Sequence, residues 1–190
     1  TNPFKNEKDA EQVIRNINEL KLDALVCIGG DDTLGVASKL HDKGIKTVGV
    51  PKTIDNDLTG TDFTFGFDTA VGIVTESLDR LHSTTESHQR VMVVEVMGRH
   101  AGWIAVYGGL AGGADVILIP ETPFDIDDVC AHIQNRKNAG KNFSIVVAAE
   151  GATPKAAGMI TKEKELDAFG HVRLGGIGEF LANEIEKRLK

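Results

Sequence analysis

Three short segments put side chains capable of chemistry at points where a strand gives way to a helix or a loop. The first is Gly29-Gly30-Asp31-Asp32-Thr33. Its glycines allow a phosphate close to the backbone, and the N-terminus of a following helix favours an anion. Two adjacent carboxylates at the same place repel a phosphate unless a cation stands between, which makes Asp31 a candidate Mg²⁺ ligand, directly or through water. The alternative is helix capping by Asp32 or Thr33. The second segment is Pro51-Lys52-Thr53-Ile54-Asp55-Asn56-Asp57. In an extended chain Asp55 and Asp57 face the same way, so one can take a hydroxyl proton while the other holds a metal. A solvated turn is the alternative. With Asp31 at the end of the neighbouring strand, three acids are expected on one rim, an arrangement that is costly without a cation. The third segment is Met97-Gly98-Arg99-His100-Ala101-Gly102. An arginine on a glycine-rich turn suits a phosphate or oxyanion, against the alternative of a surface arginine.

Two further residues stand apart from these segments. Glu150 closes a later apolar strand, where its carboxylate can accept hydrogen bonds from sugar hydroxyls, or simply cap a helix or face solvent. Arg90 opens the strand that Arg99 closes, so it lies at the wrong end to serve the same pocket within one subunit. His88 and His100 are possible assistants, or ordinary surface histidines.

The elements that must hold these residues read as an alternation. Helices are expected at Glu7 to Leu20, Leu34 to Asp42, Asp68 to Leu81, Trp103 to Leu110, Ile126 to Lys137 and Gly178 to Leu189. Strands are expected at Leu22 to Ile28, Ile45 to Val50, Arg90 to Val96, Val116 to Ile119 and Phe143 to Ala149. Val- and Ile-rich strands between helices predict α/β architecture, a parallel sheet covered on both faces built of βαβ units. Ligands in such sheets sit beyond the carboxyl ends of the strands, where the three segments lie. Asp57 to Gly66 is the candidate crossing between domains, and Gly151 to Gly170 reads as a surface loop. Only two strands precede the crossing, too few for a stable sheet, so the chain is expected to be part of a longer protein.

Composition narrows the field. Over 190 residues, 21 Lys+Arg face 28 Asp+Glu for a net charge of −7, which argues against a nucleic-acid surface. No apolar run approaches bilayer length and no signal-peptide pattern is visible, so a cytoplasmic protein without a membrane partner is expected. Cys27 and Cys130 are expected as buried, reduced thiols, and no histidine or cysteine spacing fits zinc. Asn142-Phe143-Ser144 matches a glycosylation acceptor by chance.

The motifs in this order, with Ser87-His88-Gln89-Arg90 and Val94-Glu95-Val96-Met97-Gly98-Arg99-His100-Ala101-Gly102, closely resemble the 6-phosphofructokinase family over essentially the whole chain. The resemblance implies transfer of a phosphoryl group to the 1-hydroxyl of fructose 6-phosphate, in glycolysis, with Mg²⁺. It implies that Asp55 is the base, that Asp31 and Asp57 serve the metal, and that Thr53 contacts the transferring phosphoryl. Met97, Gly98 and Arg99 would bind the sugar phosphate, with Arg99 also stabilising transition-state charge, and Glu150 would bind the sugar. Arg90 would reach the 6-phosphate of a neighbouring subunit, which implies a dimer or tetramer.

Where the ATP-using pattern has two glycines, this chain has Asp32 and Lys52. The resemblance is therefore to the pyrophosphate-dependent branch, with Gly30, Asp32 and Lys52 setting donor binding. Asp32 would exclude the ATP α-phosphate by bulk and charge, and Lys52 would donate to pyrophosphate. The family's first glycine-rich phosphate loop and its Leu-Gly-His-Ile-Gln-Arg-Gly-Gly segment are not in this sequence. Residues 1–66 are accordingly expected to be part of the donor domain and 67–190 most of the sugar-phosphate domain, the piece being inactive alone. The competing readings are an ATP-dependent sugar kinase, an NAD or lipid kinase, and a non-catalytic regulatory paralogue.

Overall fold

The structure is a computed structural model and describes residues 2–156, 161–166 and 172–190. After a short 3-10 turn, helix α1 (Glu7–Glu19) leads to strand β1 (Leu25–Gly29), α2 (Asp31–Asp42), β2 (Thr47–Thr53) and the two-residue β3 (Phe65–Gly66). Then follow α3 (Phe67–Ser87), β4 (Val91–Val96), α4 (Trp103–Ala111), β5 (Val116–Leu118), α5 (Ile126–Asn138), β6 (Ser144–Ala149), β7 (Thr161–Leu166), β8 (Val172–Leu174) and α6 (Ile177–Leu189). The chain is α/β, with two three-stranded parallel sheets, β1-β2-β3 and β4-β6-β5, and a β7-β8 antiparallel ribbon.

Strand β6 is central in the second sheet, and all six of its residues are buried. Its period-two alternation divides the core. Ile145, Val147 and Ala149 join Phe67, Leu78, Ile104 and Ala105 on the α3–α4 side, while Val146 and Ala148 join Val129, Ile133, Leu181 and Ile185 on the α5–α6 side. Each fully buried Val or Ile contributes about 1.5–3 kcal/mol. Helices α3 and α4 approach closely because Gly108 and Gly112 leave room: an added methyl would meet Val74 at 2.6 Å and Leu78 at 2.5 Å respectively.

A charge interrupts the apolar run of β4. The Glu95 carboxylate accepts the Gly176 N–H at 3.1 and 3.2 Å and the Gly178 N–H at 2.9 Å, so it satisfies donors at the start of α6 and complements the helix dipole. An added methyl at Gly178 would stand 3.2 Å from Glu95 Cβ. Glu95→Ala is therefore expected to cost about 2–3 kcal/mol and to lower the thermal midpoint by roughly 4–12 °C, read by calorimetry.

Several expectations about the elements need correction: β2 runs on to Thr53 rather than ending at Val50, and α3 to Ser87 rather than Leu81. Helix α2 begins at Asp31 rather than Leu34, with Gly30 as its N-cap and no side-chain cap bond, so neither Asp32 nor Thr33 is the cap. The first sheet has a third strand, β3, too short to carry a hydrophobic pattern. Among the described residues its sheet is covered on one face only. Thr47 and Gly49 face α2, where the Thr47 hydroxyl donates to the Ala37 carbonyl, whereas Val26, Ile28 and Val48 on the other face are 65%, 59% and 58% exposed. Within Gly151 to Gly170, taken as a loop, Thr161–Leu166 is a strand, and residues 157–160 and 167–170 lie outside the described residues. Cys130 is buried and Cys27 partly so, both free. Among the described residues no helix is long and apolar enough to cross a membrane.

Candidate functional site

The ends of β2, β4 and β6 meet at one rim. At the end of β2, the Thr53 hydroxyl donates to an Asp55 carboxylate oxygen at 3.4 Å and accepts the Asp55 N–H at 3.3 Å, both long bonds. The start of α2 abuts this point, since an added methyl at Gly30 would stand 3.5 Å from Thr53 Cβ.

The chain then turns rather than staying extended. Asn56 has φ +53°, a left-handed conformation that asparagine tolerates. Its side-chain oxygen accepts the Thr64 N–H at 2.9 Å and its amide donates to the Asp62 carbonyl at 3.4 Å, clamping the 57–64 loop. Asp55 and Asp57 therefore do not share a face of an extended strand, contrary to what their spacing predicts. They are neighbours across a turn, with Asp55 partly buried and Asp57 exposed.

Asp55 is the electrostatic centre of the rim. Burial, then the Asp57 charge and more weakly Glu150, push its carboxyl above the usual aspartate range, against the Thr53 hydroxyl bond and the Arg99 guanidinium, which pull it down. Thr53, Asp57, Arg99 and Glu150 thus all act on Asp55, from three separate segments. Met97 is exposed, Gly98 buried and Arg99 partly buried. The turn at Arg99 is tied to β6, because the Arg99 N–H donates to Glu150 Oε1 at 3.0 Å. Its far end is tied to the segment after β5, where Glu121 Oε1 accepts the Gly102 N–H at 2.8 Å.

The remaining candidates stand around this group. Asp31 is exposed and Asp32 partly buried in the first turn of α2. Lys52 is exposed, and strand alternation puts it on the face of β2 away from α2, on the opposite side from Thr47 and Gly49. Arg90 is exposed before β4, at the opposite end of that strand from Arg99, in a cleft with Glu186 of α6 and Lys190 just after it. His88 and His100 are exposed.

Asp31, Asp55 and Asp57 do not close into a three-carboxylate cluster; among the described residues no three His, Cys, Asp or Glu side chains are arranged to hold a metal. Mg²⁺ asks for less. It keeps several waters and binds through one or two carboxylates together with substrate phosphates. The like-charge pressure of Asp57 on Asp55, with Asp57 open to solvent, fits that mode.

Asn56, Glu95, Glu121 and Gly151, for which no role was expected, also hold the rim or its scaffold together. Glu95 had a signal, a lone acid inside Val-Val-Glu-Val; Glu121 and Gly151 had none, since their partners are distant in sequence.

The chain is similar to known proteins over its whole length. It is 59% identical over 189 residues to a pyrophosphate–fructose 6-phosphate 1-phosphotransferase of Streptomyces coelicolor, covering 99% of this chain and 55% of that protein. It is 53% identical over 187 residues to an ATP-dependent 6-phosphofructokinase of Corynebacterium efficiens, covering 98% and 54%. Among solved structures, a pyrophosphate-dependent phosphofructokinase of Nitrosospira multiformis superposes with a TM-score of 0.79 at 28% identity, covering 97% of this chain and 47% of that one. The chain spans about half the length of the curated relatives it matches. The Phosphofructokinase family description matches residues 1–190. With its motifs in family order, its parallel-sheet fold and this match from end to end, the chain belongs to the phosphofructokinase family.

Proposed function

We propose that the full-length enzyme transfers a phosphoryl group from pyrophosphate to the 1-hydroxyl of fructose 6-phosphate, giving fructose 1,6-bisphosphate and phosphate in a reversible step of glycolysis. The observation that carries the reading is the meeting of Thr53, Asp55, Asp57, Arg99 and Glu150 at one rim beside the start of α2. Phosphoryl transfer needs positioning and neutralised charge more than covalent chemistry from the protein: Thr53, Asp55 and Glu150 serve positioning, and Arg99, with the Mg²⁺ that Asp31 and Asp57 would hold, serves the charge. Residues 1–66 then form part of the donor domain and 67–190 most of the sugar-phosphate domain.

In this reading Asp55 accepts the proton of the sugar hydroxyl as its oxygen attacks the terminal phosphorus and the departing phosphate leaves in line. Thr53 donates to an oxygen of the transferring group. Arg99, with Met97 and Gly98, holds the sugar phosphate and offsets developing charge, while Glu150 receives sugar hydroxyls. Asp31 and Asp57 would hold Mg²⁺, which when bound supplies positive charge to the phosphate oxygens. Gly30 allows the donor close to the start of α2, Asp32 denies space to a nucleotide α-phosphate, and Lys52 donates to pyrophosphate. Arg90 serves the site of a neighbouring subunit, so the enzyme works as a dimer or tetramer.

An ATP-dependent 6-phosphofructokinase is the second reading, supported by the 53% identity to a relative so named. Fructose 1,6-bisphosphate formation by the full-length enzyme, followed with each donor in turn, tests both. Product with either donor is expected to require fructose 6-phosphate, and no product with either sinks the phosphotransferase reading.

A further inference from the structure

Glu150 and Gly151 follow the last residue of β6 and lie against the turn that ends β4. The Glu150 N–H donates to the Val96 carbonyl at 2.8 Å, so the two strands stay in register up to this point. The Glu150 carboxylate then turns back and accepts the Arg99 N–H at 3.0 Å. The next residue presses on the other side of Arg99. A methyl added at Gly151 would lie 2.1 Å from the Arg99 carbonyl oxygen and 3.2 Å from its carbon. The Arg99 residue is thus held at both ends, its N–H by a carboxylate and its carbonyl against a position where only hydrogen fits.

Arg99 has φ +52° and Gly98 φ +142°. A residue with a side chain rarely adopts the left-handed region, and it persists there only where its surroundings impose it. Beside the turn's own Ala101 N–H to Gly98 carbonyl bond of 2.9 Å, the groups that touch the N–H and the carbonyl of Arg99 are Glu150 and Gly151. We propose that Gly151, together with Glu150, is a positioning residue for the sugar-phosphate end of the site: the pair forces Arg99 into the left-handed turn and so fixes where its guanidinium stands relative to Asp55. This rests on the reading above, in which Arg99 holds the sugar phosphate. Gly151 has no side chain with which to touch a substrate, so it acts through Arg99.

Gly151→Ala in the full-length enzyme is expected to raise the KM for fructose 6-phosphate at least ~10-fold while the donor KM stays within about twofold, because small misplacements of a binding group cost far more than their size suggests. In an Arg99→Ala background the same change is expected to add less than about twofold, since the residue it positions is already gone. A merely structural role would shift both KM values together and add in full to Arg99→Ala; that result, or an unchanged KM, overturns the proposal.

Should Gly151→Ala not fold, amide exchange at Arg99 decides. Glu150→Gln keeps an oxygen for the Arg99 N–H and is expected to exchange at the native rate, whereas Glu150→Ala is expected to exchange at least ~10-fold faster. Equal exchange in the two variants overturns the clamp. That measurement needs no turnover, so an enzyme that fails to phosphorylate fructose 6-phosphate counts against the function and leaves the clamp to be judged by exchange alone.

Discussion

Asp55→Ser in the full-length enzyme is expected to lower turnover by ~10²–10⁴, with KM for fructose 6-phosphate little changed. The magnitude follows from what is removed. Asp55 is a partly buried carboxylate in long contact with the Thr53 hydroxyl and within electrostatic reach of Arg99, Asp57 and Glu150. A general base acts on the transition state, so its loss appears in kcat more than in binding. Steady-state kinetics at saturating donor and Mg²⁺ read the effect, and turnover within about tenfold of the native rate removes Asp55 from the role. The same variant tests whether a neighbouring subunit completes the site. Arg90 sits at the opposite end of β4 from Arg99, so Arg90→Ala subunits mixed with Asp55→Ser subunits are expected to regain activity that neither has alone. No recovery on mixing contradicts a site completed across subunits.

The second large effect concerns the donor. Asp32→Gly is expected to improve kcat/KM for ATP by as much as ~10²–10³-fold, the scale of relieving one like-charge contact of a few kcal/mol in a partly buried setting. Asp32 is partly buried in the first turn of α2, where a nucleotide phosphate approaching Gly30 would meet it. Lys52→Gly alone is expected to damage pyrophosphate use without admitting ATP, because the Asp32 carboxylate remains. The double variant is expected to come closest to an ATP enzyme. The readout is kcat/KM for both donors in all four forms at fixed free Mg²⁺, and an unchanged donor ratio in Asp32→Gly removes Asp32 from donor selection.

Much of this architecture is written in local pattern. The Val- and Ile-rich runs of β4 and β6 and the apolar faces of α3 and α5 announce themselves by length and period, because each must bury one face or two. What failed has physical reasons. Helix α2 starts at Asp31 because a glycine N-cap and two acids in its first turn suit a helix N-terminus, although Gly-Gly-Asp-Asp-Thr taken alone reads as a loop. The Val26, Ile28 and Val48 face reads as buried from composition, yet among the described residues it is open.

The site was legible in residue type and only partly in geometry. Asp55, Arg99 and Glu150 were expected at strand ends and do come together there. The relation of Asp55 to Asp57 was misread, because the left-handed Asn56 between them turns an alternating strand into a bend. The grip of Glu150 and Gly151 on Arg99 joins residues some fifty positions apart through a bond and a close approach, and no sequence period encodes such a pairing.

The central claim is that this family member spends pyrophosphate. Its most direct test is kcat/KM for pyrophosphate and for ATP, measured on the unmodified full-length enzyme with saturating fructose 6-phosphate and fixed free Mg²⁺. Pyrophosphate is expected to be preferred by at least ~10²-fold, the effect of the Asp32 carboxylate on a nucleotide α-phosphate. Equal use of the two donors, or a preference for ATP, would contradict the account.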